Sequence, residues 1–462
     1  MPKPELPGRK KTSDMIDPTS SDAPSRAATL ADVPVRALDE ALATLEPALI
    51  STLRDLIRTE SQNLPPVGYE SACQQRVASS LREIGLQPDI YEISDVASLS
   101  SHPEFWPGRD YRNRPNVNAV RKGSGGGRSL ILSGHIDTVP IDTPVPWTRS
   151  PLGEDLVDQR LYGRGAWDMK AGIAMNITVL RALHLANIRL RGDLIFESVV
   201  DEEFGGVNGT LAGRLRGYNG DAAVVGEPTS LRICPAQRGG RTVHITLHGP
   251  GGILGDQTPR YRVVDQLNHL LSRIEAFQKQ RESRVAVDPY FADCTEPFAV
   301  WVTNIATGKW GWTQPITVPE RCQVELYWQA MPTETQAEVE AEFHEWLAQS
   351  IAARKDLFPA PPDVHFPMRW LPGCSISRDT ALVSEFSAIA GACGTQPLIE
   401  GLDAPSDMYI FQNCFDTPAI MWGPDGAGAH QADEFVDIPS LLRATRILAQ
   451  FACGWCGMES AA

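Results

Sequence analysis

Carboxylates and histidines collect where apolar runs stop or glycine-rich loops begin. The stretches are "GHID" with His135 and Asp137, "GRGAWDMKAG" with Asp168, "VVDEEFGG" with Glu202 and Glu203, "VVGEPTS" with Glu227, and "GPDGAGAHQADEF" with His430. Alone, each has an ordinary explanation as a strand-end polar residue, a helix cap or a solvated turn. Brought together they pose a physical problem, because clustered carboxylates repel and raise one another's pKa. A cation of high charge resolves it, and His with Asp and Glu is a zinc ligand set. Three ligand carboxylates and a shared hydroxide balance two zinc ions, and two histidines give each ion a nitrogen. The count favours two metals over one.

The intervening elements suggest how these residues meet. "SLILSGHID", "GDLIFESVVDEE" and "DAAVVGEP" read as buried strands whose ends carry the polar groups, while "MKAGIAMNITVLRALHLA" reads as a helix. Ala37 to Ile57 and Ala72 to Ile84 also show helical spacing. Strands alternating with helices predict an α/β domain with a mainly parallel sheet flanked by helices. Ligands of such sheets sit beyond the carboxyl ends of the strands. "NVNAVRK", the turn "GSGGG" and the following strand read as a hairpin. The glycines lack a P-loop lysine and the strand-GxGxxG-helix setting of a dinucleotide site, which disfavours an oxidoreductase.

After Pro235 the pattern changes. "RTVHITLHG" alternates like a half-exposed strand, and Val263 to Phe277 reads as one amphipathic helix. "FAVWVTNIATG" and "CQVELYWQAMP" read as strands, and "TQAEVEAEFHEWLAQSIAA" as a helix. This succession predicts a small α+β unit. From about Pro361 the α/β character returns and ends in the helix "SLLRATRILAQFA". The expected organisation is an inserted domain at 236–359, a catalytic domain split between 37–235 and 360–462, and a disordered extension at 1–36. That extension lacks the apolar segment of a secretory signal.

A chain of 462 residues is long enough for two cores. Its net charge of -15 disfavours nucleic acid and anionic membrane as partners. No uninterrupted apolar run is long enough to span a bilayer. The 9 cysteines are scattered, with a single C-x-x-C pair at Cys453 and Cys456 and no second pair or histidine nearby. Free thiols in a reducing cytoplasm fit this usage.

The motifs, in this order and over nearly the whole chain past the extension, resemble the dizinc amidohydrolases. That family includes acetylornithine deacetylase, succinyl-diaminopimelate desuccinylase, aminoacylase and carboxypeptidase G. The resemblance implies a zinc-exopeptidase-like catalytic domain with a ferredoxin-like lid that also serves for dimerisation. By it, His135 and Glu227 would bind one zinc, Glu203 and His430 the other, and Asp168 would bridge both. Asp137, two residues after His135 on a strand, would accept a hydrogen bond from the imidazole. Glu202 would move the proton between the bridging water and the leaving amine. The implied reaction is hydrolysis of an amide in an N-acyl amino acid or related small metabolite, with cobalt or manganese as alternatives to zinc.

The sequence departs from the family pattern in the inserted domain. "LHGPGGILGDQ" places Ile253 where the family carries a lid histidine. Ile316 replaces an expected asparagine, and Gln329 an arginine assigned to substrate carboxylate. Losing an oxyanion donor typically costs about 100- to 1000-fold in rate. Three readings follow: an unusual, less anionic substrate with another donor such as His248, a non-hydrolytic step on a specialised metabolite, or a catalytically weak metal-binding protein. Trp301, Trp310, Trp312 and Trp328 line an aromatic pocket or fill the inserted domain's core.

Overall fold

In this computed structural model, residues 32–153, 155–252, 261–308 and 317–459 are described. The expectations for residues 1–31, Ile253, Trp310, Trp312 and Ile316 lie outside them. The first helix, α1 (Asp32–Arg58), begins ahead of the expected Ala37. Residues 32–36 are therefore helical and do not belong to a disordered extension. Pro34 falls in the first turn, where the missing N–H has no helical partner to lose.

The chain continues through α2 (Ser71–Glu83), β1 (Asp89–Glu92), β2 (Pro115–Arg121), β3 (Leu130–Ser133), α3 (Lys170–Leu185), β4 (Leu194–Ser198), α4 (Asn208–Leu215), β5 (Ala223–Val225) and β6 (Ile233–Gln237). These strands join β11 (Cys374–Ser375), β12 (Ile399–Leu402) and β13 (Ala419–Met421) in a 9-stranded sheet. Its order is β11-β6-β13-β5-β3-β4-β2-β1, with β12 also on β6. The centre, β13-β5-β3-β4, is parallel, and antiparallel pairs lie on either side of it. Helices α1 and α3 pack with α8 (Ala381–Ala392) and α9 (Ile438–Cys456) over the sheet.

β2 and β3 do not form the expected hairpin, because β4 lies between them. Every residue of β3 is buried, so its apolar surface goes to the sheet centre between parallel neighbours. The glycine loop carries the chain across a strand, with Gly125 and Gly126 at positive φ.

A second, wholly antiparallel sheet of 4 strands forms from β7 (Gly239–His248), β8 (Val300–Thr307), β9 (Arg321–Ala330) and β10 (Asp363–His365), in the order β8-β9-β7-β10. With α5 (Val263–Leu271), α6 (Ile274–Arg284) and α7 (Gln336–Ala353) this is a ferredoxin-like β-α-β-β-α-β unit, its first helical segment broken in two. The single helix expected from Val263 to Phe277 stops at Ser272, whose hydroxyl donates to the His269 carbonyl at 2.7 Å and competes with the helical ladder. β10 lies beyond residue 359, so the return to the main sheet falls between His365 and Cys374, not at 360. Pairing with β7 keeps these residues on the second sheet. The two crossings touch: Gly240 N–H donates to the Leu371 carbonyl at 2.9 Å, and Leu371 N–H to Gly240 at 3.3 Å.

The core of this unit is aromatic. Trp328 stacks on Phe343 at 5.4 Å between centroids, and Phe277 on Trp346 at 5.2 Å. Trp328 is thus core, whereas Trp301 is 42% exposed. Replacing Trp328 by Ala is expected to cost about 3–5 kcal/mol, seen as an earlier denaturant transition in near-ultraviolet circular dichroism. An unshifted transition would contradict this packing.

Candidate metal centre

The site lies where the central parallel strands end. His135 follows β3 after Gly134, whose missing side chain makes room for Met169: a Cβ there would fall 2.6 Å from the methionine Cε. Glu202 and Glu203 follow β4, and Glu227 follows β5. Asp168 immediately precedes Met169 and α3. The start of α3 presses against the end of β5, where a Cβ on Gly172 would lie 2.2 Å from the Gly226 carbonyl. His430 comes from the loop between β13 and α9, at positive φ.

The residues singled out in the sequence meet here. Asp168 stands between the two histidines, Oδ1 at 3.4 Å from His135 Nε2 and Oδ2 at 3.3 Å from His430 Nε2. Glu227 Oε1 is 3.8 Å from His135 Nε2, and Glu203 Oε2 is 2.9 Å from His430 Nε2. Zinc bonds of about 2.0–2.2 Å at a tetrahedral angle put neighbouring donor atoms about 3.3–3.6 Å apart. Taken together, the four observed spacings span that value, from 2.9 to 3.8 Å. Glu227 Oε1 is buried without a hydrogen-bond partner among the described residues, a costly state that a cation would relieve. The donor set therefore fits a pair of divalent ions.

His135 Nδ1 lies 2.9 Å from the main-chain carbonyl of Asp137, which can only accept. The ring nitrogen therefore donates, which turns Nε2 toward the acid cluster, where it would face a metal ion once its proton is displaced. The Asp137 carboxylate, expected to take this role, is 3.7 Å from Nδ1. It accepts instead from the N–H groups of Glu202 (3.0 Å) and Glu203 (3.2 Å) and from Asn63 (2.9 Å). β3 ends at Ser133, so strand alternation no longer governs where position 137 points.

Glu202 diverges from Glu203, its Oε2 lying 3.8 Å from His135 Nε2. Its carboxylate also meets Glu227 and Asp407, with one oxygen of each within 4.8 Å of the others. Asp407 is a site residue that the sequence reading missed. It is buried and accepts from the Thr210 hydroxyl, and its surroundings in "GLDAPSDMY" look like any polar loop.

Glu434 was missed too. Fully buried, it accepts from Arg164 at 2.8 Å and from the N–H groups of Gly165, Trp167 and Asp168 at 3.1, 2.9 and 3.0 Å. It ties the loop carrying Asp168 to the loop carrying His430. The signal was an acid four residues after His430, which by itself resembles surface charge. Beneath Glu202 lies a buried network, with Arg114 at 2.6 Å from Glu70 and 3.6 Å from Asp201. Asn63 joins Asp201 to Asp137.

Other expected residues stand elsewhere. Gln329 accepts from Arg238 at 2.7 Å and donates to the Asp403 carbonyl. His248, proposed as an alternative donor, is exposed and pairs with Asp363 at 2.7 Å. Cys453 and Cys456 are buried on α9, their thiols pushed up to about 12 by burial.

The electrostatics express the crowding of charge. Burial pushes Glu203 up to about 7 and Glu227 up to about 8, and raises Glu202 well above the carboxylate range. Hydrogen bonds to Asp168 and Glu203 carry His430 up to about 11. Burial opposes charge on His135, but Asp168, Glu227 and Glu202 outweigh it and hold the imidazole well above its usual pKa. Without metal, the cluster thus holds protons at neutral pH. An ion must displace them, so affinity is expected to rise with pH between about 6 and 8. Zinc titration by calorimetry in buffers of different ionisation enthalpy should show net proton release, and heats independent of buffer would contradict the ligand set.

A family model described as Peptidase family M20/M25/M40 matches residues 131–453. The chain is 27% identical over 420 residues to the N-formyl-4-amino-5-aminomethyl-2-methylpyrimidine deformylase of Halalkalibacterium halodurans, covering 86% of this chain and 92% of that one. It is 27% identical over 355 residues to the acetylornithine deacetylase of Erwinia tasmaniensis, covering 76% and 86%. Among solved structures, the di-peptidase Dug1p from Saccharomyces cerevisiae shares the fold, with a TM-score of 0.72, 14% identity, and coverage of 92% and 99%. The family matched is the one that the ordered motifs resemble. The chain belongs to peptidase family M20/M25/M40 and is a metal-dependent hydrolase acting on C–N bonds.

Proposed function

We propose that the protein removes an acyl group from a small N-acylated metabolite, using two zinc ions. His135 and Glu227 would hold one ion and His430 and Glu203 the other, with Asp168 available to both. The observation that carries this reading is the position of Asp168, with one oxygen toward each histidine. Cobalt or manganese suits the same nitrogen and oxygen donors. When bound, the ions acidify a water molecule and polarise the scissile carbonyl.

Glu202 is the proton carrier. Its carboxylate lies inside the cluster, 3.8 Å from His135 Nε2, and is free of the assigned ligand set, as a proton-carrying base must be. It receives a proton from the attacking water and delivers it to the leaving nitrogen. The Asp137 carboxylate holds the Glu202 and Glu203 N–H groups and so sets where both side chains start. The names of the two relatives, a deformylase and a deacetylase, support a short acyl group as the part removed. Unpaired cysteines support a cytoplasmic setting.

Replacing Glu202 by Gln is expected to reduce hydrolysis by at least about 100-fold while leaving two metals per chain. Amine release and elemental analysis on the same sample check this, and undiminished turnover would reject the assignment.

A second copy of the chain is the proposed protein partner. β8 is an edge strand, with Trp301, Val302 and Ile305 at 42%, 39% and 45% exposure. An open apolar edge invites pairing with another strand. Sedimentation velocity is expected to show a dimer that Ile305→Lys converts to monomer. A monomer at every concentration would reject the interface.

A further inference from the structure

The walls of the catalytic cleft carry information that its floor does not. The cleft encloses about 530 Å³, enough for a small metabolite. Asp168, Glu202, Glu203, Glu227 and His430 form its polar floor. Its sides are Val207, Tyr327, Met368, Leu371, Leu402 and Pro405. Among the described residues no lysine or arginine lines it.

Guanidinium groups near the cleft are engaged elsewhere. Arg241 donates to the Met368 carbonyl at 2.7 Å and to Glu340. Arg369 donates to Tyr409 and Glu104. Arg238 is held by Gln329 and lies 3.1 Å from Asp403. Meanwhile, Glu202 and Asp407 add carboxylates beyond the three assigned to metal ions. Among the described residues, a substrate carboxylate held beside the metal site meets apolar side chains and no cationic side chain, and so loses its water without gaining a partner from the walls.

Tyr327 supplies a firm aromatic surface. Its ring is backed by Trp301, stacked at 5.8 Å with planes 16° apart. Gly240 allows the close fit, since a Cβ there would lie 2.5 Å from the tyrosine oxygen.

Resting on the amide-hydrolase reading above, we propose that the cleft selects the N-acyl derivative of an uncharged, flat aromatic or heteroaromatic amine, and discriminates against amines bearing an α-carboxylate. Tyr327, Met368 and Leu371 are the specificity-determining residues.

The test uses the full-length, zinc-loaded protein with N-formylbenzylamine and N-formylphenylglycine, which differ by one carboxylate. Cleavage of the neutral compound is expected to exceed that of the acid by at least about 100-fold in kcat/KM. Equal or reversed efficiencies overturn the proposal. Calorimetry on zinc-loaded Glu202→Gln protein reads selection without turnover, and the neutral amide is expected to bind more tightly. Tight binding of the neutral amide with no cleavage by the unmodified protein sinks the hydrolase reading and leaves the selectivity standing. Cleavage that favours the acid does the reverse, and failure to bind the neutral amide also overturns the selectivity. Leu371→Arg is expected to shift the ratio toward the acid by at least about tenfold, as expected when a buried carboxylate gains a cationic partner. Met368→Arg serves if the first variant does not load zinc, and an unmoved ratio in the loaded variant counts against the assigned wall.

Discussion

Buried carboxylates of like charge can share one small volume only if something pays for their repulsion. Glu202, Glu203, Glu227, Asp168 and Asp407 converge beyond the central strands, two of them with a pKa raised to about 7 or 8 by burial. Imidazoles relieve part of the strain through Asp168, but Glu227 still has a buried oxygen with no hydrogen-bond partner among the described residues. The parallel centre of the sheet explains why the conflict arises. Three adjacent strands, β5, β3 and β4, point their carboxyl ends the same way and deliver their polar residues to a single place. The fold creates an anionic pocket, and the chemistry of the pocket depends on divalent counter-charge.

Holding such a cluster in place requires anchors that are themselves polar. Asp137 and Glu434 serve two different loops by the same device, with one carboxylate accepting from consecutive main-chain N–H groups. Asp137 fixes the pair of glutamates; Glu434 fixes Asp168. Below them Glu70 and Asp201 are buried with Arg114 and Arg109, two carboxylates against two guanidinium groups. Removing one member would leave the others unpaired, which is usually more damaging than replacing the whole set.

The proposed ligands were legible in the sequence because each stands at a visible discontinuity, an apolar run giving way to an acid or a histidine. The α/β class was legible from the same alternation. Asp407 and Glu434 were not, since their importance comes from tertiary neighbours such as Thr210 and Arg164, far away along the chain. The role of Asp137 was misread at the level of atoms: the i, i+2 rule holds only within a strand, and β3 stops at Ser133. The false hairpin between β2 and β3 has a related cause. A glycine-rich turn shows that the chain changes direction, but not how many strands it passes over.

The paired crossings between the sheets have a mechanical consequence. Gly240 and Leu371 are bonded to each other through their main chains, so both connections lie along one short line. A small change of torsion there would turn the antiparallel unit as a rigid leaf while both cores keep their packing. Because Tyr327 belongs to the antiparallel unit and Glu227 follows β5 of the main sheet, such a turn would alter the width of the cleft between them.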